Sequence, residues 1–401
     1  MLQRLLPVQE AVSEDRPGHP AFSPRLVVCD EPARGQRTHV EDLDREVYCI
    51  LGLPIDALSM PAAVERIQAA VERGVPYLIS TPNLNFLVQS LADPQFRESL
   101  LASELCPADG MPIIWLGRSM GVCIPKVSGS DIFEALKSVG RQLKIFFFGG
   151  AEGIAEAASQ SLNSRNCSLH CTGHYYPGFV SLEDMSRDEI IKKVNASNAG
   201  LVVVALGAAK GQAWLMHNHQ SLKTPVRAHL GAAMNFEAGT FTRAPVHMRE
   251  MGLEWMWRIY QEPYLWRRYW HDGAILLRLV LTHVLPLTIW IRWLKLTQSE
   301  ESKHFALAEW HYGDSSTISL TGFATAEHVE NAISSFRLAS YRRSVTIHLT
   351  ELRFIDSRFL GLLLMLRKCL GERGADLKFV GASKTIRRLF SLNAVEYLLS
   401  S

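Results

Sequence analysis

This 401-residue chain lacks several signatures, and each absence removes a class of function. Its seven cysteines are scattered, with no C-x-x-C pair and no metal-ligand spacing, so they read as reduced thiols in a cytoplasmic compartment. No G-x-G-x-x-G fingerprint and no P-loop occurs, so neither a Rossmann dehydrogenase nor a kinase is indicated. The formal net charge is only +2, which gives no support for nucleic-acid binding. Residues 1–20 carry Glu10, Glu14, Asp15 and three prolines in place of an apolar signal segment, and export is not expected. There is no internal repeat and no low-complexity tract.

What is present is the composition of a folded protein, 47% hydrophobic and 20% charged, with length for two domains. Residues 1–45 show no helix or strand period and are expected to be disordered. From Tyr48 onward, short apolar runs alternate with amphipathic stretches. Strands are expected at 47–51 and 77–80, near 112–116, and at 144–148, 168–171, 200–206 and 226–230. Helices are expected at 60–73, 131–140, 152–164, 186–197 and 211–221. That alternation predicts an α/β domain over 46–240, a Rossmann-like, doubly wound parallel sheet. Its binding residues belong at the carboxyl ends of the strands.

Residues 241–297 differ in character. Between 243 and 295 there are eight Arg or Lys against four Asp or Glu, interleaved with Trp255, Trp257, Trp266, Trp270, Trp290 and Trp293. Residues 274–296 are mainly apolar, yet they hold Arg278, His283, Pro286 and Arg292. Pro286 is expected to break or kink a continuous helix. A cationic, Trp-rich amphipathic segment reads as lying in a bilayer interface; packing on the protein's own core and a true span are the alternatives. Residues 298–303 form a polar linker. A second small α/β domain, 304–401, follows, with strands at 304–310, 315–320, 344–349 and 376–380 and helices at 325–339, 357–372 and 383–391.

Three constellations carry possible chemistry. Thr81-Pro82-Asn83 and Asp109-Gly110 lie in loops of the α/β domain. A carboxylate there suits a general base, and a hydroxyl and an amide suit sugar hydrogen bonds. The plain alternatives are a turn and a helix cap. Lys126, Gly129 and Asp131, Gly149-Gly150, and Gly207 form the second group. Glycines at strand-to-helix turns let backbone N–H groups approach a diphosphate, though such glycines also serve chain geometry alone. Arg243, Arg258, Arg267 and Arg268 form the third. Guanidinium groups suit phosphate, while a solvated helix with Glu254–Arg258 pairing is the alternative.

Together these residues resemble the WecG/TagA/CpsF family (glycosyltransferase family 26) over residues 47–270. The match runs through Thr81 and Asn83, Asp109-Gly110, Val127, Gly129 and Asp131, Gly149-Gly150, Leu206-Gly207, Lys210 and Trp214. It closes in Arg243-Ala-Pro, Gly252-Leu-Glu-Trp, Arg258, Glu262-Pro and Arg267-Arg-Tyr. The resemblance implies an inverting, metal-independent and cofactor-free transfer from a UDP-sugar, often of N-acetylmannosamine type. The implied acceptor is a sugar on a polyprenyl diphosphate, at the inner face of the cytoplasmic membrane, in cell-surface polysaccharide assembly. It implies Asp109 as base and Thr81 and Asn83 as substrate contacts. Lys126, Gly129, Asp131, Gly149, Gly150, Gly207, Lys210, Gln212 and Asn235 are also expected to face substrate, and the closing arginines the lipid diphosphate. Two departures concern the donor: Gly211 and Gln212 stand where the family has Gln and Glu, and Asn235 where it has Asp.

The last hundred residues resemble a STAS domain, on Leu320-Thr-Gly322, Phe354-Ile-Asp-Ser357 and Arg387-Arg-Leu-Phe390. The resemblance implies Ser357 as a regulatory phosphorylation site and a protein partner of unknown identity. Arg358 and Phe359 replace the usual Ser-Gly after it, and Ser357 as a simple helix start is the alternative. The rival functional reading is a scaffold that has lost turnover and recruits a partner to the membrane.

Overall fold

The protein is described by a computed structural model over residues 39–297 and 304–400. The linker expected at 298–303, and residues 1–38 of the segment expected to be disordered, lie outside the described residues. The rest of that segment is ordered, contrary to expectation. His39–Asp44 is a 3-10 helix with Leu43 buried, and buried Arg45 grips Asp56 at two points, 2.7 and 3.0 Å. Composition alone does not show pairing, and here Arg45 is paired with Asp42, three residues back (2.8 Å), as well as with Asp56, eleven residues on. Strands β1 (Val47–Ile50) and β2 (Leu53–Asp56) then form an antiparallel hairpin. Its two-residue turn, Leu51-Gly52, takes positive φ at both positions, which matches strand twist.

The main sheet is fully parallel, in the order β3-β7-β6-β4-β5. Its strands are β3 (Tyr77–Ile79), β4 (Leu143–Gly149), β5 (Leu169–Tyr175), β6 (Leu201–Ala205) and β7 (Val226–His229). Alternate side chains of one strand serve opposite faces. Ile145, Phe147 and Val203 join one core; Phe146, Phe148, Val202 and Val204 join the other, where Phe148 stacks on Trp214 at 4.1 Å. Both faces are covered by helices: α1 (Met60–Arg73), α2 (Leu84–Ala92), α3 (Pro94–Leu101), α4 (Met111–Ser119), α5 (Gly129–Leu136), α6 (Ile154–Asn163), α7 (Asp188–Ala196), α8 (Ala208–His217) and α9 (Gly231–Glu237). This is the Rossmann-like layering the sequence predicts. The chain runs outward from β4 to β5 and returns on the other side of β4 to β6, so the order reverses between β4 and β6. In sheets of this kind the crevice at the strands' carboxyl ends beside such a reversal is where ligands bind.

One strand expectation fails. Residues 112–116 belong to helix α4, not to a strand. The run Ile-Ile-Trp-Leu is too short for its period to decide, but Pro112 sits in the first helical turn behind Gly110 at φ 95°. The extended edge lies just upstream, where Leu105 bridges Ile79 and Pro107 bridges Asp56.

After α9 come α10 (Val246–Glu250), α11 (Glu254–Gln261), α12 (Trp266–Leu279) and α13 (Leu285–Thr297). Pro286 does not break this last stretch. A π-helical turn, Val280–Val284, precedes it, and the Leu285 N–H bonds five residues back to the Val280 carbonyl. The wider turn absorbs the missing proline donor. Pro263–Leu294 is long enough to cross a membrane and holds an 18-residue window apolar enough to do so, with mean hydropathy 1.9, by length and composition alone. It is also packed along one side. Leu279 and Val284 enter the core of the first domain, and Leu287 and Leu294 enter that of the second. Trp266, Trp270, Leu277, Leu281, Leu285, Ile289 and Trp293 face outward.

The second domain has a sheet ordered β11-β9-β10-β12, with β8 antiparallel on β9. Its strands are β8 (Ala306–Tyr312), β9 (Ser315–Ala324), β10 (Ser344–His348), β11 (Leu352–Ile355) and β12 (Asp376–Val380), and its helices α14 (Val329–Ala339), α15 (Ser357–Glu372) and α16 (Lys384–Leu392). Strand β11 is not anticipated by the sequence reading, being four residues pressed between a turn and a helix. Both domains belong to one compact unit.

Candidate active site

At the carboxyl ends of β3 and its neighbours, Asp109 closes the segment that runs beside β3. Its N–H donates to the Pro82 carbonyl (2.9 Å), and the next stretch is pinned by the Val127 N–H on the Ala108 carbonyl (2.9 Å). Its carboxylate accepts from the Gly129 N–H at 3.4 Å, at the start of α5. Asp109 is partly open to the cleft, yet desolvation, with Glu254 next in weight, pushes its carboxyl up to about 7; Gly129 and Lys126 pull the other way.

The closing segment folds back over this point. Glu254, the first residue of α11, meets Lys126 at 3.6 Å. Gly252 takes φ 75° against α4, where a Cβ would stand 2.7 Å from Met111 Cγ. Arg243 bonds Asp131 at 2.5 Å, and Arg249 approaches the same carboxylate at 3.7 Å. Burial works against ionisation of Asp131, but Ser128 (2.6 Å) and Arg243 hold it below the usual carboxylate range. Asp109, Lys126, Asp131, Arg243, Arg249 and Glu254 therefore share one cleft. Arg258 pairs with Glu262 at 3.5 Å, in place of the Glu254 partner that the solvated-helix alternative gave it. Arg267 and Arg268 stay exposed on α12, lying over Trp266 and Tyr269.

Thr81 is buried, and a Cβ on Gly129 would come 2.6 Å from Leu230 Cδ2 and 3.2 Å from Thr81 Oγ1, so Leu230 first and Thr81 second keep this position small. Asn83 caps α2, its Oδ1 accepting from the Phe86 N–H at 3.2 Å. Gly149 and Gly150 stand at the crevice between β4 and β6, where the Gly150 N–H donates to the Ala205 carbonyl (2.7 Å). Gly149 has a geometric reason to be glycine: φ is 97° and a Cβ would lie 2.6 Å from that carbonyl. Gly207, at the start of α8, has open space where a Cβ would be. Lys210 is exposed on α8, and Asn235 is half-buried on α9.

Gln212 is fully buried; its Nε2 donates to Ser80 Oγ (2.7 Å) and its Oε1 has no partner. The small Gly211 is explained by His229, whose Cδ2 would stand 2.3 Å from any Cβ there. His229 ends β7, is pushed down to about 4 by burial, and has an unpartnered Nε2. The sequence reading overlooks it, although a polar residue closing the 226–230 run sits where such sheets hold ligands. It also overlooks Arg249. Among the described residues, no group of three or more His, Cys, Asp or Glu is placed to hold a metal ion.

Residues 48–288 match the glycosyl transferase WecG/TagA/CpsF family. The chain belongs to that family. It is a glycosyltransferase whose Asp109 cleft lies within the matched span. Residues 308–400 match the Mlab, STAS domain family. Among curated relatives, an N-acetylglucosaminyldiphosphoundecaprenol N-acetyl-beta-D-mannosaminyltransferase of Bacillus subtilis (strain 168) is 25% identical over 49% of this chain and 77% of its own. A protein of the same name from Staphylococcus aureus (strain MW2) is 24% identical over 55% and 85%. A solved structure of the phosphorylated Bacillus cell fate determinant SpoIIAA is 20% identical, covers 24% of this chain and 87% of its own, and has a TM-score of 0.21, too low to carry an argument.

In the STAS domain, Asp356 caps α15 through the Phe359 N–H (2.8 Å) and also accepts from the Ala326 N–H (2.7 Å). Ser357 is buried with its Oγ unpartnered, and Arg358 donates to the Val47 carbonyl of β1 at 3.2 Å. Of the two residues replacing the usual Ser-Gly, Arg358 thus reaches the transferase domain, whereas Phe359 is buried against Phe305 and Phe336 of its own domain, with ring centroids 5.6 and 6.2 Å away. Arg388 lies over the Trp290 ring at 4.6 Å.

Proposed function

We propose that this transferase moves a sugar of the N-acetylmannosamine type from a UDP-sugar to a sugar carried on a polyprenyl diphosphate, at the inner face of the cytoplasmic membrane. The observation that carries the reading is Asp109, a carboxyl pushed up to about 7 in a cleft roofed by the basic closing segment. A base poised near neutral pH suits proton removal from a sugar hydroxyl. The names of the two relatives supply the sugar and the acceptor class.

In this reading Asp109 takes the proton of the acceptor hydroxyl as its oxygen attacks the anomeric carbon. The bond from that carbon to the UDP oxygen breaks, and UDP leaves with the electron pair. Thr81 and Asn83 orient the sugars. The crevice at Gly149-Gly150 and Gly207 takes the nucleotide diphosphate, with Lys126, Gly129, Asp131, Lys210 and Asn235 around it, while the fully buried Gln212 supports Ser80 from behind rather than touching substrate. Arg243 and Arg249, oriented by Asp131, meet the negative charge that develops. Arg258, Arg267 and Arg268 lead outward toward the lipid diphosphate. The exposed apolar side of α12 and α13 lies in the bilayer interface, because its other side is committed to protein contacts. In this reading the positive charge needed comes from side chains, so a chelator leaves turnover unchanged.

The test is transfer from a panel of radiolabelled UDP-sugars to a synthetic polyprenyl-diphosphate sugar in vesicles, with Asp109→Asn alongside. Product from one donor, lost in the variant, is expected. Absence of product from every donor, with folded and vesicle-bound protein, refutes transfer and leaves the scaffold reading.

A further inference from the structure

Helix α15 has thirteen of its sixteen residues buried, far more than one sheet can cover. Its second face is covered by the transferase domain. A Cβ on Gly361 would stand 2.0 Å from the Val47 carbonyl oxygen, so only glycine lets β1 lie this close. Farther along, buried Lys368 reaches across the domain boundary. Its Nζ contacts Glu104 Oε1 at 3.0 Å, Asp42 Oδ2 at 3.1 Å and the Ser103 carbonyl at 3.2 Å.

From there the contacts run on toward the cleft. The other oxygen of Glu104 accepts from the Leu78 N–H at 2.5 Å. Ser103 Oγ pairs with Ser80 Oγ at 2.7 Å, and Gln212 joins the same hydroxyl. Ser80 precedes Thr81, while Ser103-Glu104 begins the extended segment that ends at Asp109. The Ser103-Glu104 segment is therefore held by a lysine of the other domain, together with Arg45 of its own domain on the Ser103 carbonyl (2.9 Å), and the β3 segment joins it through Ser103 and Glu104. An apolar interface would bind as well at lower desolvation cost, so the buried ions here add little stability and their use lies in setting how the two domains register.

We propose that Lys368 is a positioning residue for the transferase, acting through Ser103 and Glu104 to fix the segments that carry Thr81 and Asp109. The STAS domain is then an internal ligand of the enzyme, needed for full turnover. The kinetic arm of the test rests on the reading of Asp109 given above; the exchange arm does not.

The experiment compares full-length wild type, Lys368→Met, Lys368→Arg and Ser103→Ala by transfer kinetics, melting and hydrogen–deuterium exchange. Lys368→Met is expected to lower kcat about tenfold or more with donor KM within about twofold, since small misplacements of reacting groups are costly. Lys368→Arg restores part of the loss. Exchange rises at residues 78–82 and 103–109 in Lys368→Met and not in β5 at the opposite sheet edge. A folded Lys368→Met with unchanged kcat and unchanged exchange overturns the proposal. Should that variant fail to fold, Ser103→Ala decides, because it cuts the relay to Ser80, along with the hydroxyl's bond to the Ser99 carbonyl, and leaves the carbonyl that Lys368 holds. A drop in its kcat at unchanged melting supports the proposal, and unchanged kcat overturns it. If wild type itself transfers nothing, the functional reading falls, and the exchange pattern alone decides the coupling.

Discussion

The raised carboxyl of Asp109 makes a quantitative demand on the pH profile. A base with a pKa of about 7 is about 9% ionised at pH 6 and about 91% at pH 8, so kcat/KM is expected to climb about tenfold across that interval. At the ordinary carboxylate value of 3.8, the same group is fully ionised throughout and the profile is flat. The sign follows from the cause: burial disfavours the charged form, so the active, ionised enzyme is lost as pH falls through 7. Stability runs the opposite way. The native state holds a proton that the unfolded chain has released above pH 4, so this group's contribution to stability declines as pH rises from about 4 to about 7. The assay is initial transfer rate at subsaturating donor from pH 5.5 to 8.5, with unfolding followed in parallel. Asp109→Asn, which keeps shape and loses the base, is expected to fall by about 10²–10⁴ at pH 8. A flat profile between pH 6 and 8, or an Asp109→Asn variant with full activity, refutes the assignment.

Two charge variants should move that midpoint in opposite directions. Glu254→Gln removes a carboxylate that raises it, and Lys126→Met removes a cation that lowers it; shifts of about one unit, down and up, are expected, and shifts of the same sign contradict the geometry. Gly149→Ala forces a Cβ against the Ala205 carbonyl at φ 97°, so a loss of about 2 kcal/mol or more is expected in denaturant melts. An unchanged midpoint would mean the crevice is softer than described. Replacing exposed Leu281, Leu285 and Ile289 together by Ser is expected to weaken vesicle co-sedimentation about 100-fold, taking roughly 1 kcal/mol for each half-exposed aliphatic chain. Unaltered partition would place the membrane contact elsewhere.

The parallel sheet was legible because β6 is an unbroken apolar run and β4 is one but for exposed Lys144 near its start, as strands buried on both faces have to be. Helix α4 was misread for the same reason: its short apolar run has no period to tell a helix from a strand. Local signals also marked Asp109, the paired glycines and the closing arginines, since each belongs to a spaced motif. Their grouping was not legible. Nothing local links Lys126 to Glu254, or Asp131 to Arg243 and Arg249, because those contacts span more than a hundred residues and form only when the closing segment folds back. The ordering of Arg45 and the small Gly211 were hidden too, though their partners Asp56 and His229 are nearer in sequence, because no local pattern marks either contact.

The long helix that buries Leu279 and Val284 in one domain and Leu287 and Leu294 in the other behaves mechanically as a keel. The two domains cannot rock against each other without stripping apolar side chains from one side of it. If its outer face rests on a bilayer, the whole protein is set down at one height and one tilt. The distance from the cleft to the lipid headgroups then belongs to the fold rather than to chance encounters, and a cargo of fixed length, a sugar on its diphosphate, is measured against it.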